Sequence, residues 1–247
     1  MYIVIREFKS NDKLQANEVL KEGILSNLPT AFWTACTREI TFQLVVLTAA
    51  IMFIFLGVPF LLCILAVPLV LLIIYLSIYA SHLMRVAEYH QGPVSKYCWV
   101  AEALEPYFFT QHPKDIAYTI ISENDTSFKK LDMGSYQRKI IGTVSVDRHR
   151  NRHYSAWLHK LAVDTKYRRK GVGSALILTA VKFCETEKYE TIECASSECQ
   201  LPARQLILNS GFQLMQMYHK KLAFASLEKY HMGLELCLPS NTDELIR

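Results

Sequence analysis

Apolar and polar positions divide the chain into one long apolar block with a mixed, periodic flank on either side. At the start, "YIVIREF" (2–8) alternates as a strand. "NDKLQANEVLKEGI" (11–24) predicts a helix capped by Asn11 or Asp12, with Leu14, Val19 and Leu20 on its apolar face. From Ile40 to Met84, a run of 45 residues, no Asp, Glu, Lys or Arg occurs, and the only imidazole is His82. One spanning helix needs about 20 residues, so the run is about twice that length. Gly57 and Pro59 interrupt it near the middle, Pro68 follows, and Gly-Val-Pro is a turn sequence. The pattern predicts two short spans joined by a tight turn, or one re-entrant hairpin. A buried core helix is a poor match to so long an uncharged run.

Beyond the block the period changes again. "KYCWVAEAL" (96–104), "KIIGTVSV" (139–146), "SAWLHKLAV" (155–163), "YETIECA" (189–195) and "FQLMQMYHKKLAFA" (212–225) read as strands. Residues 172–187 and 201–210 read as helices, the first with Leu176, Ala180 and Phe183 on one face. The second has Pro202 in its first turn and Gly211 past its end. Residues 105–138 have no clear period and read as a long loop or insertion. Strands alternating with helices predict an α/β or α+β domain. The expected organisation is therefore 1–39, a membrane hairpin at 40–84, and the rest of one domain over 85–247.

Composition adds limits. Hydrophobic residues make up 51% of the chain, and the excess lies in the 40–84 block. A net charge of +4 is too small to argue for nucleic acid, but it suits an anionic membrane surface or an anionic cofactor. Lys21 and Arg38 precede the block and Arg85 and Lys96 follow it, so both flanks are cationic and point to the cytosolic side. "MYIVIREFKSNDKLQ" turns polar after five residues, too soon for a signal peptide. Seven cysteines, an odd number with no CxxC pair, read as free thiols in a reducing compartment and predict neither disulfides nor a metal site.

The chemistry centres on "YRRKGVGSAL" (167–176). Arg168, Arg169 and Lys170 run into Gly171 and Gly173, and a helix follows a strand across this turn. Glycines permit close backbone approach and positive φ. Unpaired N–H groups at a helix start, aided by the dipole, attract an anion, and Ser174 can add a hydroxyl. The turn lacks the GK[ST] of a P-loop and the third glycine of a dinucleotide fold. A solvated basic turn with glycine for sterics is the bland alternative.

"LAVDTKYRRKGVGSAL" closely resembles the acyl-CoA-binding motif of the GNAT superfamily of N-acetyltransferases, R/Q-x-x-G-x-G/A between strand and helix. "IREFKSND", "IIGTVSV" and "LPARQLILNSGFQ" resemble further blocks of that superfamily, in order; the last does so through Ala203, Leu206, Gly211 and Phe212. The apolar run followed by "WVAE" resembles the camello-like N-acetyltransferases. The resemblance implies an α+β acyl-CoA N-acyltransferase fold, a mixed sheet flanked by helices, carrying an inserted membrane hairpin. If residues 2–24 and 96–225 build one sheet, the inserted run must return to the side it left.

The resemblance also implies acetyl-CoA as co-substrate and direct attack by a primary amine. Backbone groups of Leu161, Ala162 and Val163 would pair with the pantetheine arm. Arg168, Arg169, Lys170, Gly171, Val172, Gly173 and Ser174 would hold the pyrophosphate. Camello-like relatives imply a small amino-acid acceptor such as a cysteine S-conjugate, or protein lysines, and a membrane location at the endoplasmic reticulum with the domain facing the cytosol. Where relatives use a strand carboxylate as base, this chain has Trp157. Alternation puts Trp157, His159, Leu161 and Val163 on one face, so His159 is the expected base. A bulge would turn Lys160 inward instead, and Glu198 is the rival. Ile207 stands where many relatives carry a tyrosine acid, which keeps a catalytically silent CoA-binding protein as an alternative; Tyr218 is a possible substitute. A protein-lysine acetyltransferase is the other.

Overall fold

The computed structural model describes residues 1–92, 95–107, 113–122, 136–149, 152, 154–222 and 225–236. Strand β1 (Tyr2–Glu7) is followed by helices α1 (Lys13–Leu25), α2 (Leu28–Cys36), α3 (Glu39–Ile54) and α4 (Ala66–Gln91). Then come β2 (Tyr97–Pro106), β3 (Thr119–Ser122), β4 (Tyr136–Arg148), β5 (Ser155–Val163) and α5 (Val172–Thr186). The chain continues through β6 (Thr191–Ser197), α6 (Leu201–Asn209), β7 (Gln213–Leu222) and β8 (Ala225–Glu235). Among the described residues the eight strands form one sheet, ordered β3-β1-β2-β4-β5-β6-β8-β7. It is mixed: β1–β3 and β5–β6 are parallel, and the other pairs are antiparallel. The fold is α+β with helices on both faces of this sheet.

The two faces follow from the alternation. Leu176, Ile177, Ala180 and Cys184 of α5 pack on Trp99, Ala101, Ile141, Val144 and Leu158. On the opposite face Ala16, Val19 and Leu20 of α1 meet Val100, Ile140 and Ala162. Three elements depart from the sequence reading, the first being helix α2, which it did not foresee. The stretch 105–138 contains the ends of β2 and β4 and the short edge strand β3, which pairs with β1; residues 108–112 and 123–135 of that insertion lie outside the described residues. Strand β8, unforeseen, sits between β6 and β7.

The apolar block folds as α3 and α4, joined through Gly57 at φ 63° and a short 3-10 turn, Phe60–Leu65, and packed on each other. Phe60–Gln91 forms a helical run of 32 residues with mean hydropathy 3.0 in its most apolar window, long and apolar enough to cross a membrane. α3 is shorter, about 24 Å at 1.5 Å per residue. Phe42, Val46 and Phe53 on it face outward, while Leu44 and Val45 pack against Ala35, Val70 and Ile74. Thr41 Oγ1 donates to Ala35 O (2.6 Å) across the bend between α2 and α3.

β1 and β2 pair directly, Tyr2 opposite Leu104 and Glu7 opposite Trp99, so the chain entering α1 and the chain leaving α4 belong to one sheet. A buried arginine locks this pairing. Arg6 donates to both oxygens of Asp12 (2.6 and 2.9 Å) and both of Glu102 (3.0 and 3.2 Å). Asp12, the expected helix cap, spends its side chain on Arg6 and the Lys9 N–H (2.8 Å) instead of on α1. Burial works against the Asp12 carboxylate, but the Arg6 and Lys9 hydrogen bonds outweigh it and hold the carboxyl below its usual range.

Removing Arg6 leaves Glu102 buried without its cation. Arg6→Met is expected to cost about 3–5 kcal/mol in denaturant unfolding. Because the Asp12 pKa is depressed in the fold, its contribution is whole above about pH 3.9 and is lost as pH falls below that. The wild type should therefore lose stability on acidification through that range more steeply than the Arg6→Met protein.

Candidate active site

The ladder between the parallel strands β5 and β6 stops at Leu158 opposite Cys194, although β5 runs on to Val163 and β6 to Ser197. Past that point the strands part. On its other side β5 carries one residue more than β4: Ala162 pairs with Thr143 and His159 with Ser145. The extra residue is Lys160, held at φ 54°. This bulge overturns the expected single face. Before it, Leu158 faces the α5 core; after it, Leu161 and Val163 do, while Ala162 turns to α1. Trp157 and His159 therefore look to the α1 side, away from Leu161 and Val163.

A cleft of about 970 Å³ opens at the parting and is lined by 157–163, by 194–200 and by the turn before α5. Five cations and two carboxylates line it, counting Lys and Arg against Glu. Gly171 is the N-cap of α5, in the left-handed region at φ 81°, and no side chain caps the helix. The N–H groups of Val172, Gly173 and Ser174 start the helix without intrahelical partners and border the cleft. A Cβ at Gly173 would lie 2.7 Å from Leu206 Cδ2 of α6, so that side-chain end would have to shift. The three cations split. Arg169 lines the cleft at φ 66°. Arg168 lines it too, while donating to Val163 O (3.2 Å) and Ser26 Oγ (2.8 Å). Lys170 turns away and donates to Lys114 O (2.6 Å) and Ile116 O (2.9 Å).

His159 lines the cleft, with Nε2 2.9 Å from Asp147 Oδ2 and 3.2 Å from Ser95 Oγ. A carboxylate accepts only from N–H, so Nε2 carries the proton and Nδ1 keeps its lone pair. Burial lowers the His159 pKa, with a further push from Lys160, and outweighs the opposite pull of Asp147. Glu198 lines the same cleft but is bound to Arg38 Nη2 at 2.6 Å. Ile207 is buried in the cleft wall, and Tyr218 is not among the lining residues.

The sequence profile of the acetyltransferase (GNAT) family matches residues 97–212, a range that contains this whole parting and the turn. Residues 97–212 belong to the GNAT acetyltransferase family. Similar curated proteins include rat N-acetyltransferase 8B, 24% identical over 51% of this chain and 57% of its own length. Human N-acetyltransferase 8 is 27% identical over 40% of this chain and 44% of its own length. The chain thus spans about half the length of the curated relatives it matches. Among solved structures, the ribosomal-protein-S18-alanine N-acetyltransferase of Escherichia coli has TM-score 0.36 at 19% identity, covering 43% of this chain and 71% of its own.

The acetyltransferase domain holds one polar cluster that pattern reading missed. Glu193 of β6 is 1% exposed beside Trp157, whose ring meets His149 and His231 edge-on at 5.7 and 5.8 Å. Ser155 Oγ and Arg152 Nη1 donate to Glu193 Oε1 (2.8 and 2.9 Å). His231 Nε2 is 2.7 Å from Oε2, an ion contact out of line for a hydrogen bond. The signal was a lone glutamate in "TIECA", but its partners come from three separate segments. Burial pushes the Cys184 and Cys194 thiols up to about 12, which keeps both unreactive at neutral pH.

Steric need at Gly173 and dihedral need at Gly171 separate experimentally. Gly173→Ala is expected to lower the thermal midpoint by driving Leu206 off α5. Gly171→Ala is expected to cost about 1–2 kcal/mol through φ alone. Equal stability of Gly173→Ala and wild type in a thermal scan would refute the packing role.

Proposed function

We propose that this chain is a membrane-held N-acetyltransferase that moves the acetyl group of acetyl-CoA to a primary amine. The observation that carries the reading is the parting of β5 and β6 beside an uncapped helix start. The edge of β5 at Leu161, Ala162 and Val163, past the end of the ladder to β6, suits the amides of a pantetheine arm. The N–H groups of residues 169–174, with Arg168 and Arg169, suit a pyrophosphate. Lys170 is left to anchor the neighbouring segment.

The amine nitrogen attacks the thioester carbonyl carbon; the N–C bond forms and the C–S bond breaks. His159 Nδ1 takes the proton released from the amine, with Asp147 holding the ring through Nε2–H. Its lowered pKa keeps the ring neutral, and so basic, at pH 7. Glu198, tied to Arg38, is the weaker candidate. No acid group replaces Ile207; a thiol with a pKa near 8.5 departs as thiolate and takes its proton from water. The acceptor class is a small amino-acid-type amine. Helices α3 and α4 form the hairpin that holds the domain against the membrane of the endoplasmic reticulum, on its cytosolic side. The Tyr2–Leu104 pairing supports this, since both ends of the hairpin enter one sheet.

Release of CoA from acetyl-CoA by the purified full chain, across a panel of amines, tests the activity. His159→Gln should lower kcat by about 10²–10⁴-fold with the acetyl-CoA Kd unchanged. Once the acceptor's own ammonium titration is divided out, the enzyme limb of kcat/KM should lie below about pH 6.5, and Asp147→Asn should move it. An unaltered kcat in His159→Gln would eliminate it as base. Tags at the two termini should be equally accessible to protease in sealed microsomes; protection of one alone would exclude the hairpin.

A further inference from the structure

The turn that leads into α5 has two sides. One borders the cleft through Arg168, Arg169, Gly171, Val172 and Gly173. The other meets a segment that contributes nothing to the cleft lining: a 3-10 turn, Pro113–Asp115, and strand β3. Lys170 reaches across to this segment, and its Nζ donates to Lys114 O (2.6 Å) and Ile116 O (2.9 Å). Both bonds are charge-assisted, and together they fix a side chain that is otherwise rich in rotamers. Beside them Tyr118 and Tyr167 donate to one oxygen, Glu105 Oε1, at 2.8 and 2.6 Å. The two rings meet edge-on at 5.8 Å. Ile120 of β3 completes the contact, with its Cδ1 3.5 Å from where a Cβ on Gly171 would stand.

The strand end of the turn is tied to the sheet. Asp164 accepts from the Lys166 N–H (2.9 Å) and from Lys139 Nζ of β4 (3.0 Å). Lys139 Nζ also lies 5.5 Å from the centre of the Tyr167 ring. Burial, and after it the Glu105 hydrogen bond, push the Tyr167 phenol above its ordinary range, so it remains a donor at neutral pH. The helix end is under a different demand. Lys170 stands between two residues in the left-handed region, Arg169 at φ 66° and Gly171 at φ 81°. That conformation is unfavourable for a residue with a Cβ and persists only where neighbours enforce it. The two carbonyl bonds of Lys170 supply that enforcement from the 114–116 backbone.

We propose that the Lys170 side chain is a positioning residue and not a phosphate ligand: it clamps the cofactor turn to residues 113–122, so that loading the turn and steadying that segment are one event. This rests on the reading of the turn as the site of the acetyl-CoA pyrophosphate. Two equilibria joined by one link bias each other by the same factor. With the link cut, the empty turn spends part of its time in conformations that do not bind, and the apparent affinity falls by that fraction. Loss of a phosphate ligand would also weaken binding, but it leaves another mark. It would take one cation out of the salt dependence and leave 113–122 unaffected.

The test is amide hydrogen exchange, read by mass spectrometry on the full chain with and without saturating acetyl-CoA. Peptides within 113–122 should exchange at least about threefold more slowly with the cofactor, although none of these residues lines the cleft. In Lys170→Met that slowing should be lost, and the acetyl-CoA Kd, by calorimetry, should rise about tenfold with its dependence on salt as in the wild type. Tyr118→Phe, a milder change outside the cleft lining, should raise the Kd about threefold. Exchange in 113–122 indifferent to acetyl-CoA would overturn the clamp and leave the turn as the cofactor site. So would a wild-type Kd in Lys170→Met, or a Kd whose salt dependence drops there. No binding of acetyl-CoA by the wild type would overturn the cofactor reading itself.

Discussion

Lys160 is one residue more than β4 supplies opposite β5, and the sheet must absorb it. The strand does so at φ 54°, a conformation that costs a non-glycine residue about 1–2 kcal/mol and persists only where neighbours enforce it. The enforcing neighbours are the ladder to β4 on both sides of the bulge and the α5 core beneath Leu158, Leu161 and Val163. Two results follow from that one residue. Trp157 and His159 end up on the α1 side, opposite Leu161 and Val163, and the ladder to β6 ends at Leu158. A cleft thus opens in the middle of an otherwise continuous sheet, with its geometry fixed by pairing on the far edge of β5.

The second constraint is topological. The hairpin is inserted between α1 and β2, so both its ends must meet within the sheet. Arg6 fixes that meeting with four hydrogen bonds to two carboxylates, one on the approach to α1 and one on β2. The hairpin is therefore attached to the rigid part of the domain, and α2 and α4 keep a fixed register against β5 and β6. That arrangement makes one continuous cleft that joins β5 and β6, inside the family-matched range, to α2 and α4 outside it.

Much of this was legible in sequence, for identifiable reasons. β5 was read with its observed limits, and α5 and α6 within a residue, because apolar period and glycine punctuation agree there. The cofactor turn stood out because charge, two glycines and a following helix coincide within ten residues. The bulge did not, since nothing in "WLHKLA" distinguishes a bulged strand from a regular one; strict alternation then placed His159 with Leu161 and Val163. The Glu193 cluster was hidden for another reason: residues 149, 152 and 155 are brought to it by the pairing of β5 with β6, and residue 231 by that of β6 with β8. Strand β3 was lost among aromatic and polar residues because four residues give too little pattern to read.

The Arg6–Glu102 contact closes a loop of 96 residues, and the hairpin lies inside that loop. A chain emerging from the ribosome presents β1 first, but its partner strand is not complete until Pro106 has been made. By then the whole apolar block has been made. The edge of β1 stays unsatisfied throughout that interval, and loop closure of this length is a slow step even once both strands are present. The apolar block is therefore complete before the sheet that brackets it can close, and the order of synthesis is written into where that block interrupts the fold.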